Sequence, residues 1–253
     1  MTVQSKAEIA ALRLAARATV QAVLAGLHEV KEGVSQRQVE LAAVDACWKA
    51  GAHGVAFWPW AMAGATSVFP TPFTSLAKYD HLEQRMRAGD LVRLDVGCEW
   101  NHYGGDLGRT LPVSGVFAED QRELWDIFVD AYRAGAAALR PGVTVDEVFR
   151  AWQAQLLGHR DSARSPLAKR AIEAWSDRKN VPYWQVHTTN LTPGSVVGPL
   201  RAGTTINFEP IASMDGQGYF LEDMYLVTDT GVELLTPGLP YSAAEIESAM
   251  AQR

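Results

Sequence analysis

The sequence is poor in cysteine, in net positive charge and in long apolar runs. Its two cysteines, Cys47 and Cys98, lack the spacing of a metal-binding pair, so we expect them to stay reduced. The formal charge of −6 argues against a nucleic-acid partner or an anionic membrane surface. The first residues, MTVQSKAEIA, lack the basic and then apolar order of a signal peptide, and no unbroken apolar run of about 18 residues occurs. These absences predict a soluble cytoplasmic protein.

The composition is that of an ordinary globular chain, with 253 residues of which 47% are apolar and 21% charged. A chain of this length can bury a substantial core. Two capping boxes, Ser5 with Glu8 and Ser35 with Gln38, each predict the start of a helix, because the serine side chain bonds the backbone N–H three residues on. The polar segment 158–180 contains proline and receives no assignment.

Several phrases occur once in each half of the chain. RAGDLVRLDVG and RAGTTINFEPI both place an acid six residues after their glycine, Asp95 in the first and Glu209 in the second. DLGRTLPVSG begins at Asp106 and EDMYLVTDTG at Glu222, and both end on glycine. We therefore predict a single domain over residues 1–253, with halves of about 5–118 and 119–240 related by a pseudo-twofold axis. We expect an α+β fold with a curved antiparallel sheet and helices on its outer face.

The four acids of these phrases are predicted to converge. A twofold axis would bring Asp95 opposite Glu209 and Asp106 opposite Glu222, on one face of the sheet. Four carboxylates in a sheet interior repel one another, and burying each without a partner costs several kcal/mol. Divalent cations would neutralise them, and oxygen ligands favour Mn, Fe, Co, Zn or Mg. A single acid between two strands is often only a solvated or turn residue, but four at matched positions favour a metal site.

The stretch GDLVRLDVGCEWNHYGGDLGRTLPVSGVFAEDQRELWDIF resembles the Xaa-Pro aminopeptidase (aminopeptidase P and prolidase) branch of the pita-bread (creatinase/aminopeptidase) metallopeptidases. The matching positions are Asp95, Asp106 with Arg109 and Thr110, the Glu-Pro at Glu209, and the closing Glu-Asp at Glu222. The resemblance implies the pita-bread fold, one or two divalent ions held by the four acids, with manganese among the candidates, and cleavage of a peptide's N-terminal residue. The resemblance also implies a further N-terminal domain, which we do not expect in this chain. We therefore expect a more open pocket, or a homodimer partner that covers it.

The resemblance also implies a ligand histidine and, seven residues later, a second histidine that contacts substrate. His187 in QVHTTN lies at the position of the second, and counting back seven residues gives Asn180. The favoured interpretation is that Asn180 replaces the ligand histidine, which would weaken the site because a neutral amide binds such metals poorly. The alternatives are that His187 itself is the ligand, or that His159 or His102 supplies the nitrogen.

The remaining assignments concern substrate. His81 is a candidate for substrate binding or proton transfer, although a solvated histidine would explain it as well. FWPWAM places two tryptophans either in an apolar pocket wall or in ordinary core packing. Phe220 stands where the resemblance implies an arginine, two residues before the second glutamate. The residues assigned to substrate binding are Trp58, Trp60, Tyr103, Asn180, His187 and Phe220.

Together these features predict a metal-dependent hydrolase that cleaves a peptide or amide C–N bond with metal-activated water. Glu209 would act as the proton shuttle, and His187 would stabilise the oxyanion or the leaving group. A second interpretation keeps the scaffold but changes the chemistry to C–N hydrolysis, elimination or oxidation of a small molecule, because the ligand histidine and the arginine are missing. A third is a non-catalytic pseudoenzyme, against which the retention of all four acids argues.

Overall fold

Capped helices organise the outer layer of the fold. The computed structural model describes residues 2–68, 83–181, 185–188 and 194–252. The helices in these ranges are α1 Lys6–Glu29, α2 Gln36–Lys49, α3 Glu119–Ala138, α4 Val145–Gly158, α5 Pro166–Trp175 and α6 Ala243–Met250. The predicted capping boxes at Ser5 and Ser35 are both present, so these helix starts are confirmed. The unassigned segment 158–180 contains α5, which begins at the N-cap Ser165 with proline in its first turn.

The strands form one large antiparallel sheet and one small sheet. They are β1 Gly54–Val55, β2 Trp60–Ala63, β3 Leu91–Val96, β4 Cys98–Trp100, β5 Tyr103–Gly104, β6 Leu107–Pro112, β7 Gln185–Thr188, β8 Gly194–Ser195, β9 Thr205–Glu209, β10 Ile211–Met214, β11 Gln217–Val227 and β12 Val232–Leu234. The large sheet runs in the order β2-β3-β6-β11-β9-β7-β8, and β10 and β12 also pair with β11. The small sheet is β1-β4-β5. The predicted antiparallel sheet is therefore confirmed, and it brings the strands that carry the acids side by side.

The first long helix of each half lies close against an acid-bearing strand. A Cβ added to Gly26 of α1 would come within 2.7 Å of Leu94 Cδ2, and one added to Gly135 of α3 within 2.7 Å of Phe208 Cζ. Leu94 and Phe208 each immediately precede an acid of the repeated phrases, so the acids project from the opposite face of the sheet. Each glycine thus allows its helix to pack where a larger residue would clash. The matched contacts support the division into halves, which stays a prediction.

The two cysteines form a disulfide, so the expectation that they stay reduced is wrong for this structure. Cys47 on α2 and Cys98 on β4 have Cα atoms 5.6 Å apart, and both side chains are fully buried. The sequence could not show this pairing, because it arises only when α2 packs against the small sheet.

Helix α1 is more apolar than the absence of a long unbroken apolar run in the sequence would suggest. By length and composition it is the one helix in the described part of the chain that could cross a membrane. However, 56% of its most apolar window is buried inside the fold, as the core helix of a globular domain would be.

Candidate metal centre

Three neighbouring strands carry one row of the site. Asp95 of β3 and Glu222 of β11 both pair with Gly108 of β6, so the two carboxylates face each other across a residue that has no side chain. A Cβ at Gly108 would lie 2.4 Å from the Leu94 carbonyl oxygen and 2.1 Å from the Phe220 ring. Gly108 is therefore required both for the strand approach and for the phenyl ring beside it.

Three further side chains complete the cluster: Glu209 at the end of β9, Asp106 just before β6, and His187 in β7. Strand β7 pairs with β9 so that His187 lies opposite Asn207. The His187 Nε2 atom is 3.1 Å from Glu222 Oε1, 3.3 Å from Glu209 Oε2 and 3.7 Å from Asp106 Oδ2. The other ring nitrogen, Nδ1, lies 3.3 Å from the Thr188 carbonyl oxygen. The imidazole therefore directs one nitrogen at three carboxylates and the other at the backbone.

The five side chains form two overlapping groups, each with ligand atoms within 4.8 Å of one another. One group is Asp95, Glu209 and Glu222, and the other is Asp106, His187 and Glu222. Because Glu222 belongs to both groups, its carboxylate would be a ligand in either one when a divalent ion is bound.

Burial and mutual repulsion raise the pKa values of three of the acids, Asp95, Asp106 and Glu222. Burial raises the pKa of Asp95 and of Asp106 well above the ordinary value, and the charge of Glu222 raises both further. Burial, with the neighbouring charge of Glu209, raises the pKa of Glu222 to about 7. Burial alone would lower the pKa of His187, but its hydrogen bonds to Glu209 and Glu222 outweigh that effect and raise it well above 6.5. Without a metal ion, a protonated His187 would be a counter-charge to Asp106, Glu209 and Glu222, and Arg93 would be one to Asp95.

The cluster fits divalent metal ions on two grounds. Asp95 Oδ1 and Glu222 Oε2 are buried without a hydrogen-bond partner among the described residues, and such orphaned acceptors need an explanation. Four carboxylates with one imidazole are a donor set suited to Mn, Fe, Co or Zn. A metal-ligating imidazole usually donates its other N–H to a backbone carbonyl or a carboxylate, and the Thr188 carbonyl oxygen is so placed.

Three polar residues that the sequence reasoning left without a role support the acids. The Asn207 amide donates to Glu222 Oε1 at 2.6 Å and also to the Asp106 carbonyl. Arg93, two residues before Asp95 and 1% exposed, lies with its guanidinium carbon 5.7 Å from the centre of the Phe220 ring. Arg109 donates to the backbone carbonyl of Glu222 at 2.8 Å from behind. Asn207 and Arg93 could have been found from alternation along their strands, since each lies two residues from a predicted ligand.

The predicted nitrogen ligands are placed differently from the favoured interpretation. Asn180 is exposed, and its amide donates to the Ala174 carbonyl at 2.9 Å instead of facing the acids. His102 is 85% exposed beside Glu99, and His159 faces Asp130. The structure therefore brings His187 to the acids directly, which was one of the alternatives. The substitution of a ligand by Asn180 is not supported, because residues 178–180 form a short 3-10 turn that holds this amide against α5.

The residues predicted to bind substrate divide into two groups. Trp60 pairs with Asp95 across β2 and β3 and packs against Phe57 with ring centres 5.5 Å apart, so it does flank the acids. Phe220 is fully buried beside Gly108 and so is placed to line the floor of the site, not to contact solvent.

Two other residues have different partners. Tyr103 donates its hydroxyl to Glu8 of α1 at 3.0 Å, and Trp58 donates its indole N–H to Glu40 of α2 at 2.9 Å. Each is therefore tied to an outer helix, and a substrate role for Tyr103 is not supported. Trp58 remains 43% exposed. His81 lies outside the described residues.

Comparison with known proteins identifies a family. The profile of metallopeptidase family M24 matches residues 10–229. The chain is 29% identical to the mitochondrial intermediate cleaving peptidase 55 of Arabidopsis thaliana, over 98% of this chain and 51% of that protein. It is 33% identical to the Xaa-Pro aminopeptidase of Escherichia coli (strain K12), over 68% of this chain and 43% of that protein. The chain thus spans about half the length of these curated relatives.

Solved structures show the same fold. A variant of Escherichia coli aminopeptidase P in complex with substrate superposes with a TM-score of 0.83 at 26% identity, over 99% of this chain and 60% of that one. Proline aminopeptidase P II from Yersinia pestis gives a TM-score of 0.82 at 26% identity, over 99% of this chain and 61% of that one. These matches confirm the resemblance drawn from the motifs and the pita-bread fold that it implied.

Proposed function

Because the chain belongs to metallopeptidase family M24, we propose that it is a metal-dependent aminopeptidase that releases the first residue of a peptide. The observation that carries this proposal is the pair of ligand groups that share Glu222, in a cluster of four acids and one imidazole. Relatives named as Xaa-Pro aminopeptidases make peptides with proline in second position the first substrates to test.

Each side chain has a role that follows from its place in the cluster. Asp95, Asp106, Glu209, Glu222 and His187 would hold one or two divalent ions, with Mn, Fe, Co and Zn as candidates. Bound ions of this kind lower the pKa of water and polarise a carbonyl group. Glu209 Oε2 would carry the proton that the leaving nitrogen needs, since it lies at the end of β9 and within 3.3 Å of His187 Nε2. His187 would be the nitrogen ligand, in place of the oxyanion role first assigned to it, because its Nε2 faces the acids.

The proposal also covers the substrate pocket, the oligomeric state and the cellular location. An aromatic wall of Trp60 and Phe57 beside Asp95 would receive an apolar part of the substrate. The expectations of a homodimer, of a cytoplasmic location and of no nucleic-acid or membrane partner stay part of the proposal, although the Cys47–Cys98 disulfide is of a kind that is rare in the cytoplasm. One relative is named as mitochondrial, so a cellular fractionation is the relevant measurement of location.

The test uses protein that is stripped of metal and reloaded with Mn²⁺, Co²⁺ or Zn²⁺. We expect each active loading to release the first residue from Xaa-Pro peptides, measured by mass spectrometry of the products. Glu222→Gln should abolish both ion binding and release. Glu173→Gln provides the matched control, because that exposed carboxylate pairs with Arg160 on the surface. Failure of the wild-type chain to bind any of these ions would refute the proposal.

A second candidate uses the same centre for small-molecule chemistry. Two observations favour it. The described part of the cluster offers a single nitrogen ligand, and the buried Phe220 stands where the resemblance implies an arginine. Ion binding without release of a residue from any Xaa-Pro peptide would select this candidate. Hydrolysis of a small amide, elimination or oxidation would then be screened with the loaded protein.

A further inference from the structure

The face of β11 opposite the metal centre carries a second buried carboxylate, Asp223, directly after Glu222 in the chain. Both residues are at most 1% exposed, and they project from opposite faces of the strand. Asp223 accepts four side-chain hydrogen bonds, from Arg109 at 3.1 Å, Tyr132 at 3.1 Å, Thr236 at 2.9 Å and Tyr241 at 2.7 Å. A carboxylate with this many donors is rigidly held.

Arg109 links this carboxylate to the strands of the metal centre. While its Nη2 donates to Asp223, its Nη1 donates to the backbone carbonyls of Gly108 and Glu222, both at 2.8 Å. Gly108 and Glu222 are neighbours in the row that also contains Asp95. The guanidinium therefore fixes the main chain from which the shared ligand projects.

The C-terminal segment holds Arg109 and Asp223 from the far side. The Pro240 carbonyl accepts a hydrogen bond from Arg109 Nε at 2.8 Å, and the Tyr241 ring lies under the guanidinium, 4.5 Å from its carbon. The Tyr241 carbonyl accepts in turn from the Trp125 indole of α3 at 2.8 Å. Pro240 and Tyr241 lie beyond the family match, which ends at residue 229.

We infer that Tyr241 is a positioning residue for the metal ligand Glu222, acting through Asp223 and Arg109. Its hydroxyl makes the shortest hydrogen bond of the four donors to Asp223. Residues from Thr236 to α6, which follow the matched region, thereby help to hold the strands of the metal centre in place. The effect on metal affinity rests on the proposed function, whereas the effect on the strand does not.

The test removes one hydroxyl group with Tyr241→Phe. The control is Tyr219→Phe, which makes the same change in a buried tyrosine of β11 that packs against Phe128 and Trp175. Hydrogen exchange in the metal-free protein should speed up about tenfold at the amides of Glu222 and Asp223 in the first variant only, because a buried acceptor that loses a donor makes local opening easier. Calorimetric affinity for Mn²⁺ should fall roughly tenfold, as for other partners that orient ligands.

Both measurements are made well below the melting temperature of each variant, so that the folded fraction is the same. Unchanged exchange at the two amides in Tyr241→Phe would overturn the inference, whatever the metal affinity. Equal acceleration in Tyr219→Phe would also overturn it, since the effect would then be a general loss of packing. If the wild-type protein binds no Mn²⁺, the proposed function fails while the exchange experiment still decides the positioning role.

Discussion

Removal of the Cys47–Cys98 disulfide is expected to destabilise the protein and to loosen one side of the metal centre. The bond joins α2 to β4, and both sulfur atoms are buried. The loop that it closes contains three residues of the site: the aromatic pair Phe57 and Trp60, and the candidate ligand Asp95. A more mobile loop in the reduced protein would therefore also weaken ion binding.

The size of the effect follows from the length of that loop. With a sequence separation of 51 residues, loop closure removes about 14 cal/mol/K of entropy from the unfolded chain, which corresponds to about 4 kcal/mol at 25 °C. For a domain of this size, each kcal/mol changes the melting temperature by roughly 2–4 °C. We therefore expect the melting temperature to fall by roughly 8–16 °C.

The assay is differential scanning calorimetry of metal-free protein in three forms: oxidised wild type, reduced wild type, and Cys47→Ala with Cys98→Ala. Reduced wild type keeps both sulfur atoms in the core, so it separates the loss of the cross-link from the small cavities of the double variant. Two results together would refute the reasoning. A thiol assay on the unfolded, unreduced chain would find two free thiols, and the double variant would melt within about 2 °C of wild type.

Three further predictions concern the charge and the ligands of the centre. Arg93→Met should tighten Mn²⁺ binding in calorimetry, because it removes a buried positive charge next to Asp95; weaker binding would contradict this electrostatic role. The metal-free protein should lose stability as pH rises from about 4.5 to about 7, because burial and Glu209 raise the pKa of Glu222 in the folded state; a raised pKa at His187 acts in the same direction. Chemical denaturation along a pH series checks this, and greater stability at the upper end would show the sign to be wrong. Asn180→His should leave Mn²⁺ affinity unchanged, because that side chain bonds Ala174; a clear gain would restore the substituted-ligand interpretation.

Much of the fold could be predicted because its local signals agree with its packing. The capping boxes at Ser5 and Ser35 mark helix starts by chemistry that involves only neighbouring residues. The repeated phrases predicted Asp95 and Glu209 on one face of the same sheet, since strand alternation decides the face of each residue. The sequence therefore predicted both which four acids belong to the cluster and that their side chains come together.

The remainder depends on contacts between distant segments. The disulfide requires α2 to pack on β4, which no local pattern encodes. Counting residues back from His187 pointed to Asn180, but the 3-10 turn at 178–180 turns that amide toward α5. Tyr103 was assigned to substrate binding, yet its hydroxyl bonds Glu8 on α1. In each case the prediction relied on spacing along the chain, whereas the three-dimensional packing determines which residues are in contact.

The most direct test of the account is an anomalous diffraction map of crystals soaked in Mn²⁺. We expect one or two peaks inside the cluster of Asp95, Asp106, His187, Glu209 and Glu222, each within bonding distance of the Glu222 carboxylate. Peaks only at surface carboxylates, or no peak within bonding distance of Glu222, would contradict the central claim.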